Sequence, residues 1–321
     1  AEAIYNSIGG KMVTVTASDP MGRAIEASYL ITSNGTTAVV AMSAASGLTL
    51  LSPEERNPLI TNTYGTGELI IDAARRGCKH IVVGLGGSAT NDGGSGMLRA
   101  MGYRFYDAEN RELTTTIDIL ERVDHIATEA RSELLNGLRL TAAVDVDNPL
   151  YGVSGAAHVF ARQKGADNAM IERLDTALRH YAEAVNREGA MAAGAGAAGG
   201  VGYALHSVLG AEIRSGIDEV LALLDFDNMA HGADIIATGE GALDSQTLRG
   251  KAPMGVLRHA KRLGIPVIAI GGKVSNNEEL IKAGFSSVHA ITPEGQPLEE
   301  AMQHKVATKN MEHLAAELFK L

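Results

Sequence analysis

The chain has 321 residues, enough for two domains, a net charge of −10 and a single cysteine, Cys78. Its longest apolar runs are strand-length, too short to span a bilayer, and no Lys/Arg cluster of the kind that grips nucleic acid occurs. One cysteine excludes an internal disulfide and a thiolate metal cage, and with no basic leader before Ile4-Tyr5 a cytoplasmic location is the expectation. A protein this acidic must hold anionic ligands by local means: loop amides, a few cations, Mg²⁺.

The first stretch reads as an antiparallel meander. Residues 12–17 alternate and are rich in Val and Thr, Asp19-Pro20-Met21-Gly22 is a turn, 25–32 alternates again, and Asn34-Gly35 turns the chain into 37–42. From Gly65 the period becomes helical, with Leu69, Ile70, Ala73 and Ala74 on one face and Gly77 as terminator. A strand at 81–85 follows.

The most informative segment comes next. Six glycines fall between 84 and 96, with Ser88, Thr90, Asn91 and Asp92 set among them and a helical pattern behind. Glycine lets main chain approach a ligand, loop N–H groups cradle anions, and a helix start adds favourable dipole. The run is neither a P-loop nor a clean dinucleotide fingerprint, and Gly86-Gly87-Ser88-Ala89-Thr90 is not a nucleophile elbow. The plainer reading, a mere turn, does not need so many glycines and a carboxylate.

Residues 103–106 and the Asp107-Ala108-Glu109-Asn110 turn suggest another hairpin. A short buried strand at 140–144 ends in Asp145-Val146-Asp147-Asn148-Pro149; Asp145 there either meets a ligand or caps a turn. Lys164, in Gln163-Lys164-Gly165, either contributes a cation to a site or, the plainer reading, is a solvated lysine ahead of a helix that Asp167 caps and that carries Ile171, Leu174, Leu178 and Tyr181. The Ala/Gly run 190–202 lacks the Ser and charge of a linker and reads as a second close-packed glycine loop.

The final third alternates strand and helix: strands at 233–238, 266–270 and 288–291, helices at 254–263, 278–283 and 298–319. That alternation favours parallel pairing with right-handed crossovers. The expected fold is therefore α/β: a mixed domain with antiparallel strands over 1–230, and a Rossmann-like parallel-sheet part over 231–321. Behind the strand at 233–238, Glu240, Asp244, Ser245, Gln246, Arg249 and Lys251 crowd together, where open parallel sheets place ligands. Glu240 and Asp244 suit Mg²⁺ binding or proton acceptance, and Lys251 suits phosphate neutralisation; a solvated loop with Asp244 as cap is the alternative. The histidines show no metal-ligand spacing.

Taken in order, several segments resemble the type I glycerate kinases of bacteria. They are Asn57-Pro58-Leu59, Tyr64-Gly65-Thr66-Gly67-Glu68, Gly84 to Gly94, Asp145-Val146-Asp147-Asn148-Pro149-Leu150, Gln163-Lys164-Gly165-Ala166, Gly196-Ala197-Ala198-Gly199-Gly200, Thr238-Gly239-Glu240-Gly241 with Asp244-Ser245-Gln246, and Gly250-Lys251-Ala252-Pro253. The resemblance covers nearly the whole chain, aligning from just past the strand and two polar loops with which the family begins. Ala41 stands where the family usually has Glu, and Ala161-Arg162 where it usually has Gly-Pro.

The resemblance implies a phosphotransferase with an alcohol acceptor: ATP-dependent, Mg²⁺-assisted phosphorylation of glycerate, typically D-glycerate to 2-phosphoglycerate, on two α/β domains, one inserted into the other. A homo-oligomer is compatible with it. On that reading Asp92, Glu240, Asp244 and Lys251 are the candidate catalytic residues, with Glu240 and Asp244 as metal ligands. Gly86, Gly87, Ser88, Asn91, Gly93, Gly94, Asp145, Gly199 and Gly200 are the candidates for substrate or phosphate binding. The three polar segments are then expected to converge on one cleft. The rival reading is a non-catalytic metabolite-binding relative that keeps the pocket without phosphotransfer.

Overall fold

A computed structural model describes residues 2–245, 247–249 and 251–319. The chain divides into two compact units at Gly216/Ile217, whereas the sequence pattern puts the change near 230. The short helices Gly216–Leu223 and Phe226–Met229 account for the difference. They carry no hairpin or strand signal that would assign them to one side in advance.

In the first unit the meander appears as expected: β1 (Lys11–Ser18), β2 (Ala24–Ile31) and β3 (Thr37–Ala41) pair antiparallel in sequence. Asn34 makes the second turn, its Oδ1 accepting from the N–H groups of Thr36 and Thr37. From there the sheet changes sense. The strand β4 (His80–Gly84) lies parallel to β3; beyond a small antiparallel sheet of β5 (Arg104–Tyr106), β6 (Glu112–Leu113) and β7 (His125–Ala127), β8 (Arg139–Val144) and β9 (Glu212–Ser215) extend it in parallel.

This six-stranded sheet has the order β1-β2-β3-β4-β8-β9. The helix Tyr64–Arg75 buries Leu69, Ile70, Ala73 and Ala74, the face read from its period. With Val40, Ile81 and Val83 from the central strands they form the core, and at about 25 cal/mol per Å² such burial is the main source of stability. Cys78 is buried there, and burial pushes its thiol pKa up, as suits a packing residue.

The second unit is a βαβαβ run: β10 (Ile236–Leu243), β11 (Val267–Val274) and β12 (Ser287–Ala290), parallel and in sequential order, linked by the helices Ala252–Leu263 and Asn277–Ala283. Leu243, Leu257, Ala260, Val267, Ala269, Leu280 and Phe285 make its core. Two expectations shift. The first strand runs to Leu243, so Gly239-Glu240-Gly241, read as loop, is strand paired to β11. A Cβ on Gly239 would stand 2.2 Å from the Ile270 carbonyl, so glycine permits the pairing. The last helix is two, Leu298–Ala301 and His304–Phe319. No helix among the described residues is long and apolar enough to cross a membrane.

One group in the first sheet carries a pH signature. His80 Nδ1 lies 2.8 Å from the Arg139 guanidinium, which can only donate, so Nδ1 accepts; Nε2 then holds the proton and donates to Thr141 Oγ1 at 2.9 Å. Burial first, then the Arg139 and Arg214 charges, depress its pKa to about 4. A histidine kept neutral in the fold but protonated in the unfolded chain contributes stability that is full above pH about 6.5 and is lost as pH falls toward 4. Urea unfolding at pH 7 and pH 5 should therefore show a larger loss for the wild type than for His80→Gln; equal losses would remove His80 from the acid response.

Candidate functional site

The glycine loop after β4 is pinned on both sides. Leu48 N donates to Gly87 O at 2.9 Å, Ala89 N to Ser46 O at 2.9 Å, and Thr61 Oγ1 to Ala89 O at 2.9 Å. Its end is organised by Asp92, which is fully buried. Asp92 Oδ2 accepts from Thr63 N at 2.8 Å, Thr63 Oγ1 at 2.7 Å and Gly96 N at 3.1 Å, and Oδ1 from Gly94 N at 3.1 Å. Thr63 Oγ1 accepts in turn from Met97 N at 2.9 Å. Burial pushes the Asp92 pKa up, against the pull of these hydrogen bonds.

The carboxylate thus ties the starts of the helices Tyr64–Arg75 and Ser95–Ala100 together, supplying acceptors to N–H groups that helix starts leave unpaired. The sequence reading put Asp92 at the acceptor or metal. The structure places it at the buried end of the loop, its oxygens accepting from main-chain and hydroxyl donors.

The second glycine run locks onto the first. Gly93 N donates to Gly199 O at 2.9 Å. Gly199 has φ +70°, and a Cβ there would stand 2.1 Å from Thr90 O and 2.6 Å from Asn91 Cα. Gly200 packs on Gly93, and Gly94 on Ala204 and the Val201 main chain. Gly93, Gly94, Gly199 and Gly200 were read as ligand contacts; all four are buried, and none lines the pocket beside them. Only glycine allows two main chains to lie this close.

That pocket, of about 190 Å³, is walled by Leu85, Gly86, Gly87 and Ser88 from the loop, Ala143–Val146 from the end of β8, Phe160, Gln163 and Lys164, and Ala197-Ala198 from the second run. Gly86, Gly87, Ser88 and Asp145, four of the residues read from sequence as binding candidates, are among its wall residues. Asp145 is exposed, and its Oδ1 accepts from Gly216 N at 3.0 Å. Ala198 sits in the left-handed region at φ 55°, ψ 35°, a conformation that costs a non-glycine residue roughly 1 kcal/mol and recurs at ligand sites. Asn91 is fully buried, and neither Nδ2 nor Oδ1 has a partner; Thr90 Oγ1 is also unpartnered.

Lys164, read from sequence as solvated, is the clearest departure. It is 1% exposed, and its Nζ donates to Thr90 O at 2.7 Å. Desolvation lowers its pKa to about 7, with Asp92 pulling the other way. Ala161 and Ala166 flank Lys164, both buried, and Gly165 with φ +96° turns the chain tightly behind it.

In the second unit the carboxyl ends of β10 and β11 form a crevice of about 480 Å³, lined by Ala237–Gly241, Ile270–Gly272, Ile291 and Met311. Glu240 is half-buried there. Thr247 Oγ1 donates to Glu240 Oε1 and accepts from Asp244 N at 3.0 Å, so one hydroxyl bridges the two acidic residues. Lys251 Nζ stands 3.6 Å from Glu240 Oε2; the residue sits at the N-cap position of the helix Ala252–Leu263 without a side-chain capping bond, and a proline stands in that helix's first turn. Gln246 and Gly250 lie outside the described residues. Among those residues no three His, Cys, Asp or Glu gather as a metal cage. Mg²⁺ in phosphoryl-transfer sites uses one or two carboxylates with substrate phosphates; Glu240, whose two oxygens face Thr247 Oγ1 and Lys251 Nζ, is the carboxylate that lines this crevice.

The structure is thus an α/β protein with glycine-rich main chain along a small pocket in one unit and, in the other, a crevice at parallel strand ends that Glu240 lines. The family model described as "Glycerate kinase family" matches residues 1–321. A glycerate kinase of Bacillus cereus is 43% identical over 98% of this chain and 83% of its own length. The glycerate 2-kinase of Escherichia coli is 39% identical over 94% and 81% respectively. A crystal structure from Salmonella typhimurium LT2, assigned to glycerate kinase 2, superposes with a TM-score of 0.86 at 39% identity, covering 99% of this chain and 85% of that one. The chain belongs to the glycerate kinase family, whose members are phosphotransferases with an alcohol group as acceptor.

Proposed function

We propose that the protein phosphorylates D-glycerate at its 2-hydroxyl with ATP, in the cytoplasm, with Mg²⁺ as the companion of the nucleotide. The observation that supports this most is the pocket walled by Gly86, Gly87, Ser88, Asp145, Gln163 and Lys164. Its volume suits a three-carbon acid, and it offers loop main chain, a hydroxyl, a carboxylate and an amine. Glycerate needs an anion partner at C1 and polar partners for its hydroxyls, and this wall supplies both.

The crevice at 237–241 and 270–272 is the candidate for the nucleotide phosphates. Lys251 would neutralise phosphate charge, and Glu240 and Asp244 would hold Mg²⁺, which when bound screens the charge on the transferring group. Thr247 keeps the Glu240 side chain and the Asp244 main chain in fixed relation through its hydroxyl. The acceptor hydroxyl must lose its proton as it attacks, and Asp145 is the carboxylate on the pocket wall.

An assay coupling ADP formation to NADH oxidation tests the reading. ADP is expected with D-glycerate and not with lactate or glycerol, which lack one hydroxyl or the carboxylate; no ADP at all would favour the non-catalytic rival, and ADP formation indifferent to glycerate would mean ATP hydrolysis and reject glycerate as the acceptor. Asp244→Asn should lower kcat by about two orders of magnitude, the usual worth of a positioned charge, with the melting temperature unchanged. Wild-type turnover at saturating Mg²⁺ and ATP would remove Asp244 from the site.

A further inference from the structure

Two charged side chains line the 190 Å³ pocket, Asp145 at its exposed rim and Lys164 within. Lys164 is the odd one. An ammonium has three protons to donate, yet Nζ makes one hydrogen bond, to the Thr90 carbonyl, and no carboxylate lies within ion-pair distance of it among the described residues. Taking such a charge out of water without a partner costs several kcal/mol. A methionine would fill the same space without that cost, so the amine is out of place unless something else enters the pocket.

We propose that Lys164 is the cation that receives the carboxylate of the acceptor, and that it gains its proton as the acceptor binds. The proposal rests on the reading of the pocket as the glycerate site and adds to it the residue that selects an acid over a polyol. The buried surroundings hold the free amine near pH 7, so at pH 8 most of it is neutral, and an anion beside it restores the charge.

The groups around it are few. Asp92 lies at the buried end of the loop and is the charge that acts on Nζ; Asp145 comes from the β8 end; Arg56 meets the turn at Gly165 with its main chain. Gly86, Gly87, Ser88, Phe160, Gln163, Ala197 and Ala198, which complete much of the wall, do not titrate in this range. Because the proton goes to nitrogen and none leaves the ligand, binding above neutral pH consumes one proton from solvent.

Lys164→Met, near-isosteric and neutral, is the decisive variant, with Lys164→Gln as a second should the first fold poorly. D-glycerate is titrated by calorimetry into each full-length protein at pH 8.5 and pH 6, in two buffers of different ionisation enthalpy. The wild type should take up about one proton per glycerate at pH 8.5 and close to none at pH 6, with affinity falling as pH rises. Lys164→Met should bind glycerate roughly tenfold or more weakly and take up no proton at either pH, with its melting temperature equal or higher. In turnover, KM for glycerate should rise and lose its pH dependence while KM for ATP stays put.

Wild-type-like binding by both variants, or wild-type binding without proton uptake at pH 8.5, would overturn the assignment while leaving glycerate as acceptor. If the wild type ignores glycerate, lactate and inorganic phosphate are titrated in its place. Binding of either with Lys164-dependent proton uptake would keep the anion-receiving lysine and reject the glycerate reading; no such uptake with any of the three would reject the lysine as well.

Discussion

Gly199→Ala should be among the most damaging single substitutions in the first unit, lowering stability by about 3–4 kcal/mol. The new Cβ would stand 2.1 Å from Thr90 O and 2.6 Å from Asn91 Cα. Both are main-chain atoms, so no side chain can swing away. Overpacking of this kind costs about 1–3 kcal/mol, and φ +70° adds roughly 1 kcal/mol for any residue with a Cβ. Relief requires the two glycine runs to part, which breaks the Gly93 N to Gly199 O bond and shifts the carbonyl that holds Lys164. Urea unfolding would show the loss, and glycerate affinity should fall with it. A change under about 1 kcal/mol would mean that the two runs are not interlocked as described.

Asp92→Asn should also act through the fold. The amide keeps the shape of the carboxylate but replaces one oxygen with a donor, facing N–H and O–H groups that have no other acceptor in these bonds. A buried donor left facing donors costs about 1–3 kcal/mol, and breaking a buried charged network about 3–5 kcal/mol, so a loss of about 3 kcal/mol is expected. Turnover of the fraction that remains folded should fall only as far as the loop is displaced. Full stability with turnover reduced about a hundredfold would restore Asp92 to the chemistry, where the sequence alone had put it.

These two residues mark where sequence reading reached its limit. The meander, the parallel run in the final third and the glycine loop were legible because their signals are local: alternation, Asn34-Gly35, and a dense set of glycines after a β-rich strand. That the glycines mattered was also plain. What they touch was not, since Gly93 packs on the Tyr181 ring, Gly94 on Ala204, Gly200 on Gly93 and Gly199 on the Thr90 and Asn91 main chain, all distant in sequence or on the other run.

Asp92 looked like a ligand because a carboxylate in a glycine loop often is one. Its partner Thr63 lies 29 residues away, and no local pattern links them. Lys164 fails for the same reason: its burial comes from the Thr90 loop, 74 residues earlier in the chain. The Glu240–Thr247–Asp244 arrangement was half visible. Both acidic residues were named, whereas the hydroxyl that bridges them was passed over and the strand was ended too soon.

Transfer of phosphate from ATP to the 2-hydroxyl of glycerate is the reaction proposed for this chain. Phosphorus NMR of the products formed from ATP, Mg²⁺ and D-glycerate by the purified protein tests it most directly. The account predicts a phosphomonoester signal whose proton coupling is that of a CH–O–P group, 2-phosphoglycerate, rising in step with ADP. A CH₂–O–P signal would place the phosphate on the 3-hydroxyl, and inorganic phosphate rising with ADP, with no new ester, would contradict the account.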